Sequence, residues 1–268
     1  MHDIDIIIPV KGRPHVLAER SLPSLRAQTF TSFEVILVDD GSNVTDAQAI
    51  QDISSKFTDL NIRILKNQGE SGAAGARNFG FEQSEAPFVL WFDSDDVLLP
   101  NKLDLSISLL NDGQHDFAIT RAQHVQHGIL LDSFWGNPRP PEQGRHAFHF
   151  PFQTMCALFS RDFLDKTGIR WGHKLSVMDD WEFSNRCLIE SQSWIFSSLI
   201  TAHYHVPSKS SGSIGTNLTP AKIHSQRVAI KTIQQLMESR GLRHSLLDQL
   251  RVRRHLFHLW RCALFVKR

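Results

Sequence analysis

Residues 88–96 read Phe-Val-Leu-Trp-Phe-Asp-Ser-Asp-Asp, so a run of apolar residues is followed at once by three carboxylates within four positions. The apolar run has the length of a buried β-strand, and the carboxylates begin where that strand would end. Neighbouring like charges repel one another. The cluster therefore indicates either a divalent cation held by hard oxygen ligands or a solvated Asp-rich turn that caps the next helix.

On both sides of this stretch, short β-branched runs alternate with helical patterns, which predicts an α/β fold with a mostly parallel sheet flanked by helices. The predicted strands cover residues 4–9, 34–39, 62–65 and 88–92, and the predicted helices cover 14–28, 45–57, 72–83 and 100–110. In open parallel sheets, ligands bind beyond the carboxyl ends of the strands. We therefore expect the functional residues at that edge.

The second half of the chain has a weaker pattern. It predicts strands near 117–120, 155–159 and 194–203, helices near 161–167 and 180–190, and loops over 137–144 and 208–217. Thr219 and Pro220 have the preferences of an N-cap and a first helical residue. We predict a domain over residues 1–215 and a helical C-terminal extension over 216–268, whose last helix has an apolar stripe.

Composition excludes several functional classes. The 268 residues carry a formal net charge of +1, too balanced for a nucleic-acid-binding chain. Three cysteines without C-x-x-C spacing argue against a zinc site or a disulfide framework. No run of about 18 apolar residues occurs, so we expect a cytoplasmic protein with no membrane span.

The basic residues are unevenly distributed. Residues 251–268 hold six of them and no acid, beside the apolar stripe of 246–268. This profile is typical of a helix that lies on an anionic membrane, and equally of a terminal helix packed on the core. Reversible attachment to the inner face of the plasma membrane is therefore left open.

Two further motifs follow predicted strands. Asp39-Asp40-Gly41-Ser42 fits a plain β-turn, or carboxylates that accept hydrogen bonds from a nucleotide. Gly72-Ala-Ala-Gly75, with Arg77 after it, fits close helix packing or a backbone that approaches a phosphate.

A third acidic motif begins a predicted helix. In Asp179-Asp180-Trp181-Glu182, one carboxylate is explained by the helix dipole. A second one beside a tryptophan fits a general base, because partial desolvation raises the pKa of a carboxyl group.

Taken together, six ordered motifs resemble those of the family 2 inverting glycosyltransferases, which have the GT-A fold of nucleotide-diphospho-sugar transferases. The resemblance spans roughly residues 4–205, and its motifs are Ile6-Ile-Ile-Pro9-Val10, Gln28-Thr-Phe30, Val38-Asp-Asp-Gly-Ser42, Gly75-Ala-Arg-Asn78, Phe92-Asp-Ser-Asp-Asp96 and Asp179-Asp-Trp181.

The resemblance implies transfer of one sugar from a nucleotide-diphospho-sugar, with a UDP-sugar favoured, to a saccharide or lipid-linked saccharide in cell-surface polysaccharide or glycolipid synthesis. It implies Mn²⁺ or Mg²⁺ as cofactor. It also implies a nucleotide-binding half over about 1–100 and an acceptor-side half over about 101–215. The alternatives are a sugar nucleotidyltransferase and a non-catalytic nucleotide-sugar binder.

By position, the resemblance implies that Pro9, Asp39 and Asp40 lie at the nucleotide base and that Arg77 supports the nucleotide or its phosphates. Where the family has an aromatic residue over the base, this chain has Lys11. Lys11 or the nearby Arg13 could pack over the base instead.

For the reaction centre, the resemblance implies Asp93 and Ser94 on the donor side, Asp95 together with Asp93 at the metal, and Asp180 as the catalytic base. His205 corresponds to a residue that contacts the metal in related enzymes, although a histidine at a strand end without that role is an equal alternative.

Overall fold

The computed structural model describes residues 2–136, 152–172, 174–206 and 219–242, and one sheet runs through this part of the chain. Its strands are β1 (Ile4–Val10), β2 (Phe33–Asp39), β3 (Ile62–Lys66), β4 (Phe88–Trp91), β5 (Val97–Leu98), β6 (Phe117–Gln126), β7 (Ile129–Trp135), β8 (Ala157–Ser160) and β9 (Trp194–His205).

The strand order is β3-β2-β1-β4-β8-β6-β9-β5, with β7 paired to β6 at the side. Strands β1 to β4 are all parallel to one another, whereas the second half mixes both directions: β8 is antiparallel to β4 and β6, and β9 is parallel to β6. The predicted α/β fold is confirmed, and its antiparallel pairings lie in the half whose sequence pattern was weaker.

Helices cover the sheet. They are α1 (Pro14–Val16), α2 (Leu22–Arg26), α3 (Val44–Ser54), α4 (Ala73–Glu82), α5 (Lys102–Leu110), α6 (Arg161–Thr167), α7 (Asp179–Glu190) and α8 (Pro220–Ser239), with a π-helical turn at Leu17–Ser21 and a 3-10 turn at Thr154–Cys156. The single helix predicted over 14–28 is thus interrupted by a π turn. Pro23 has no N–H to donate to the fourth preceding carbonyl, and the wider turn accommodates its ring.

The core explains why the strands could be recognised. Ile4, Ile6, Ile7 and Ile8 of β1 are all fully buried, on both faces of the strand. A central parallel strand covered by helices on both sides has a continuous apolar run of this kind.

Helix α4 packs closely on the sheet at Gly80 and on the loop that precedes it at Gly75. A Cβ atom on Gly80 would lie 2.5 Å from Ile7 Cγ2, and one on Gly75 would lie 1.8 Å from the carbonyl oxygen of Glu70. Close packing therefore accounts for Gly75, as one of the two interpretations of this motif predicted.

A hairpin that the sequence did not indicate joins β6 to β7. The strand predicted over 117–120 continues to Gln126, and the turn residues His127 and Gly128 have φ values of 52° and 78°. Two successive left-handed residues form a turn of the type that fits antiparallel strands. His-Gly is a weak signal for it, because histidine adopts this conformation less readily than asparagine.

Helix α8 packs against α7. Thr219 caps α8, since its hydroxyl accepts a hydrogen bond from Lys222 N at 3.3 Å, as predicted. Ile233 and Met237 are buried beside Trp181 and Ile189 of α7.

The loops predicted over 137–144 and 208–217 and the stripe at 246–268 lie outside the described residues. Among the helices of the described ranges, none combines the length and apolar character needed to cross a bilayer.

Candidate functional site

The carboxyl ends of β1, β2 and β4 meet at one edge of the sheet and bring the predicted donor-side residues together. Asp40 N donates a hydrogen bond to the carbonyl of Val10 at 2.9 Å, and Lys11 Nζ lies 3.7 Å from Asp40 Oδ2. Pro9, half-buried near the end of β1, pairs in register with Val38.

Asp40 is buried, and each of its two carboxylate oxygens accepts a hydrogen bond. Its carboxylate accepts hydrogen bonds from Asn67 Nδ2 at 2.8 Å and from Gly72 N at 2.9 Å. Gly72 has φ 101°, a conformation that favours glycine, so the loop before α4 is shaped to reach Asp40. Asp39 accepts a hydrogen bond from Ser42 N at 2.8 Å, which matches the β-turn interpretation of this motif.

Arg77 is the hub of the site. Its buried guanidinium donates to Asp93 Oδ1 at 2.6 Å and to Asp179 Oδ2 at 3.1 Å. The same group lies 4.4 Å from the centre of the Trp171 ring, a cation–π contact. Arg77 thus links the donor side of the sheet to the start of α7.

The turn from β4 to β5 carries the acidic motif. Asp93 also accepts a hydrogen bond from Thr154 Oγ1 at 3.1 Å, and half-buried Ser94 follows it. Asp95 pairs with Arg13 NH1 at 3.3 Å, while its backbone carbonyl accepts from Arg20 NH1 at 2.9 Å. Burial, and then the neighbouring Asp93, raise the pKa of Asp95.

Asp96, to which the sequence assigned no separate role, anchors this turn. It is buried, and its Oδ1 accepts a hydrogen bond from His205 N at 2.7 Å. Burial, together with Asp95, raises the pKa of Asp96 well above its usual range. Asp96 therefore fastens the acidic turn to the end of β9.

His205 reaches the site through this backbone contact, and its ring lies beside Asp96 with Nδ1 4.0 Å from Asp96 Oδ1. Within the described ranges, Nδ1 has no hydrogen-bond partner. Burial, followed by the charge of Arg20, lowers the pKa of His205 to about 4, so the imidazole is neutral at pH 7.

The donor groups suit a hard divalent cation. Asp95 is partly exposed and held by one exposed arginine, and the neutral His205 ring has an unpartnered nitrogen. As they stand, Asp93, Asp95 and His205 do not bring three ligand atoms within 4.8 Å of one another. Among the described residues, His2, Asp5 and Glu34 do so, at the opposite end of β1 and β2.

That second group has a structural explanation. Asp5 is buried and accepts hydrogen bonds from Glu85 N at 2.8 Å and Ala86 N at 2.7 Å, and Glu34 pairs with Arg63. These carboxylates anchor the chain before β4 and the edge of the sheet.

Asp180 lies in the first turn of α7, next to the Asp179 carboxylate that Arg77 holds. Its Oδ1 accepts a hydrogen bond from Trp181 N at 2.7 Å. Burial and then the charge of Asp179 raise the pKa of Asp180 to about 6. A carboxylate with this pKa can accept a proton near neutral pH.

Several residues of the site were not predicted. Asn67, Thr154 and Trp171 enter through contacts with Asp40, Asp93 and Arg77 that join distant parts of the chain. No local motif connects these three residues with their partners in the site, so the sequence pattern could not identify these contacts.

Residues 5–168 match the sequence profile described as "Glycosyl transferase family 2". The chain belongs to this family. A family 2 glycosyltransferase is what the six motifs predict, at residues 6–10, 28–30, 38–42, 75–78, 92–96 and 179–181.

Two curated relatives are similar to this glycosyltransferase over part of their length. "UDP-Glc:alpha-D-GlcNAc-diphosphoundecaprenol beta-1,3-glucosyltransferase WfgD" of Escherichia coli is 28% identical over 131 residues, which cover 49% of this chain and 50% of that protein. "Amylovoran biosynthesis glycosyltransferase AmsB" of Erwinia amylovora is 33% identical over 140 residues, covering 49% and 46%. The match spans about half the length of each relative.

Solved structures share its fold. S. aureus TarS 1–349 in complex with UDP-GlcNAc superimposes with a TM-score of 0.63 at 18% identity, covering 85% of this chain and 65% of that one. Mannosyltransferase PcManGT from Pyrobaculum calidifontis, in complex with GDP-Man and Mn²⁺, gives 0.59 at 15% identity, covering 94% and 79%. The predicted GT-A fold is confirmed.

Proposed function

We propose that this family 2 chain transfers a single sugar from a nucleotide-diphospho-sugar to an acceptor hydroxyl, with inversion at the anomeric carbon. The observation that carries the proposal is the bridge made by Arg77. It ties Asp93, on the donor side, to Asp179, whose neighbour Asp180 has a pKa of about 6.

Asp180 is the proposed catalytic base. It takes the proton of the acceptor hydroxyl while that oxygen attacks the anomeric carbon from the face opposite the diphosphate. The bond between the sugar and the diphosphate breaks as the new one forms, so no covalent intermediate on the protein is needed. Arg77 and Trp171 fix the start of α7 and thereby the position of this base.

Donor binding is assigned to the edge of the sheet. Asp40, Asp39 and Pro9 form the proposed base-side wall, with Lys11 above it, and Asp93 and Ser94 face the donor sugar. A UDP-sugar is the favoured donor, and the names of WfgD and of the TarS complex, both of which include a UDP-sugar, support it.

Asp95, with Asp93 and His205, would hold a divalent cation, Mn²⁺ or Mg²⁺. When bound, such a cation neutralises the charge that develops on the departing diphosphate. The oxygen-rich donor set and the neutral His205 ring support this assignment.

A lipid-linked saccharide is the proposed acceptor, in cell-surface polysaccharide or glycolipid synthesis. WfgD is named for a diphosphoundecaprenol acceptor. A Campylobacter jejuni relative, 31% identical over 114 residues that cover 42% of this chain and 32% of that protein, is named "GalNAc(5)-diNAcBac-PP-undecaprenol beta-1,3-glucosyltransferase". We propose that the protein works in the cytoplasm, beside the membrane that holds such acceptors.

A thermal-shift screen of UDP, GDP, dTDP and CDP, with and without Mn²⁺, tests the proposal. We expect one diphosphate to raise the melting temperature only with Mn²⁺, because a ligand that binds the folded state stabilises it. Asp95→Ala should lose this shift, and Asp104→Ala, at an exposed position of α5, should keep it.

Turnover separates an enzyme from a non-catalytic binder. Asp180→Asn should retain the nucleotide-dependent shift and lose hydrolysis or transfer of the matching sugar nucleotide. No shift with any nucleotide, or a shift without turnover by the unchanged chain, would contradict the proposal.

A further inference from the structure

The loop after β1 has an unusual backbone. Gly12 and Arg13 both have positive φ, 61° and 53°, and arginine rarely adopts this conformation. Gly12 N donates a hydrogen bond to Ser42 Oγ at 2.9 Å, and Ser42 N in turn donates to Asp39. The loop is thus fastened to the turn after β2. Such a strained, well-anchored residue is typical of a functional position.

This backbone aims two cations at the two acidic groups of the donor side. Lys11 Nζ lies 3.7 Å from Asp40 Oδ2, and Arg13 NH1 lies 3.3 Å from Asp95 Oδ2. Half of the Arg13 side chain and a third of the Asp95 side chain are exposed. An ion pair that is this exposed is weak and exchangeable. A divalent cation can therefore displace Arg13 from Asp95.

A displaced Arg13 stays at the site, because Ser42 holds the backbone of the preceding residue, Gly12. Its guanidinium presents a planar set of donors that matches phosphate oxygens. The guanidinium of Arg77 is not free to bind phosphate oxygens in this way, because its two terminal nitrogens already donate to Asp93 and Asp179.

We propose that Arg13 is a positioning residue for the donor's diphosphate: it holds Asp95 until a divalent cation takes that carboxylate, and it then binds the diphosphate. This inference rests on the proposed function. It assigns to Arg13 a ligand class, a nucleoside diphosphate, and a competition with the cation.

The two parts of the proposal predict effects of opposite sign in Arg13→Gln. Without nucleotide, the variant should bind Mn²⁺ about two- to fivefold more tightly, because the competing charge is gone. With saturating Mn²⁺ it should bind UDP about ten- to a hundredfold more weakly, because hydrogen bonds from a charged group are lost. UMP affinity should be unchanged.

Titration calorimetry on the full chain measures these affinities, with UDP and UMP replaced by the corresponding pair if the screen selects another nucleoside. Arg13→Lys keeps the charge but not the fork, and should restore the wild-type Mn²⁺ affinity while recovering UDP binding only in part. Arg26→Gln removes a comparable exposed pair, with Asp59, away from the site and should change neither affinity. Melting temperatures report whether each variant is folded.

Equal Mn²⁺ affinity in Arg13→Gln and the unchanged chain would overturn the competition. Equal UDP affinity, or an equal loss for UDP and UMP, would overturn the contact with the diphosphate. If the unchanged chain binds no nucleoside diphosphate, the proposed function falls as well. If it binds one and Arg13→Gln binds it equally well, this inference alone falls.

Discussion

Asp180 is a buried carboxyl group, and its proposed role as a base requires the ionised form that burial disfavours. Its ionised form, needed to accept a proton, is disfavoured by burial and by Asp179. Ionised Asp180 therefore lowers the free energy of unfolding at neutral pH. The same shift gives a base whose pKa lies near neutral pH.

The pH dependence of this cost has a definite sign. Because the pKa of Asp180 in the folded state, about 6, lies above its ordinary value of 3.8, folding favours the protonated form. This contribution is complete below pH 3.8 and is lost as the pH rises through about 6. Asp180→Asn should therefore be about 1–2 kcal/mol more stable than the unchanged chain at pH 8 and equally stable at pH 3.5, as thermal unfolding would measure.

The same substitution should lower the transfer rate by about 10²–10⁴, the usual contribution of a general base. In the unchanged chain, kcat/KM should fall as the pH drops below about 6. Asp179→Asn is the matched variant: it removes the neighbouring charge, so the acid limb of the profile should move to lower pH. An acid limb that stays in place in Asp179→Asn would contradict this account.

Sequence patterns singled out Asp180, Asp40 and Asp95 as candidates because they belong to local motifs. They did not assign Asp96 its role, since that role depends on His205, 109 residues further along the chain. A local motif can include a residue such as Asp96, but it does not show which distant segment that residue contacts.

At the scale of elements, α4 and the loop before it act as one unit. Gly75 of α4 touches the backbone of Glu70, whose carbonyl also accepts a hydrogen bond from Asn67 at 2.9 Å. Asn67 in turn binds Asp40. The packing of the helix thus fixes the loop that holds the Asp40 carboxylate.

Gly75→Ala should therefore be destabilising, although alanine is ordinarily the better helix residue. Because the new Cβ would meet a backbone oxygen at 1.8 Å, we expect a loss of about 1–3 kcal/mol and weaker binding of the nucleoside diphosphate. Thermal unfolding and calorimetry would measure the two effects. Gly69→Ala, whose nearest contacts are 3.4 Å or longer, should lie within about 0.5 kcal/mol of the unchanged chain. Equal stability of the two variants would disprove the packing argument.

The strands differ in how far they could be predicted. Strands β1, β2 and β4 are buried and have continuous apolar runs, which made them visible in the sequence. Strand β5 has only two residues and is defined by its pairing with β9, and β7 is defined by its pairing with β6 across a His-Gly turn that is a weak signal in the sequence. Tertiary pairing, rather than local propensity, decides such elements.

At the scale of the whole molecule, the hypothesis of attachment to an anionic membrane depends on the basic residues of 251–268. The triple variant Arg251→Gln, Arg253→Gln, Arg254→Gln removes three charges, each contributing about 1 kcal/mol near an anionic surface. Sedimentation with phosphatidylserine-containing vesicles should show about a hundredfold weaker binding.

The matched control removes three charges from α8, with Lys222→Gln, Arg227→Gln and Lys231→Gln. It should bind vesicles like the unchanged chain. Equal loss in both variants would mean that overall charge, rather than the tail, drives the binding, and no binding by the unchanged chain would end the membrane hypothesis.

The acidic turn lies between β4, which pairs with a strand that precedes it in the chain, and β5, which pairs with a strand about 100 residues further along. Strand β4 joins β1, which precedes it, whereas β5 pairs with Ala202 and His203 of β9. During synthesis on a ribosome, Asp96 therefore emerges 109 residues before the His205 amide that fastens it. At about 5–20 residues per second, this leaves the turn unanchored for about 5–20 s. A nascent chain, or a fragment that stops before β9, contains Asp93, Asp95 and Asp96. It still lacks the strand whose backbone holds Asp96 and thereby fixes the conformation of the turn.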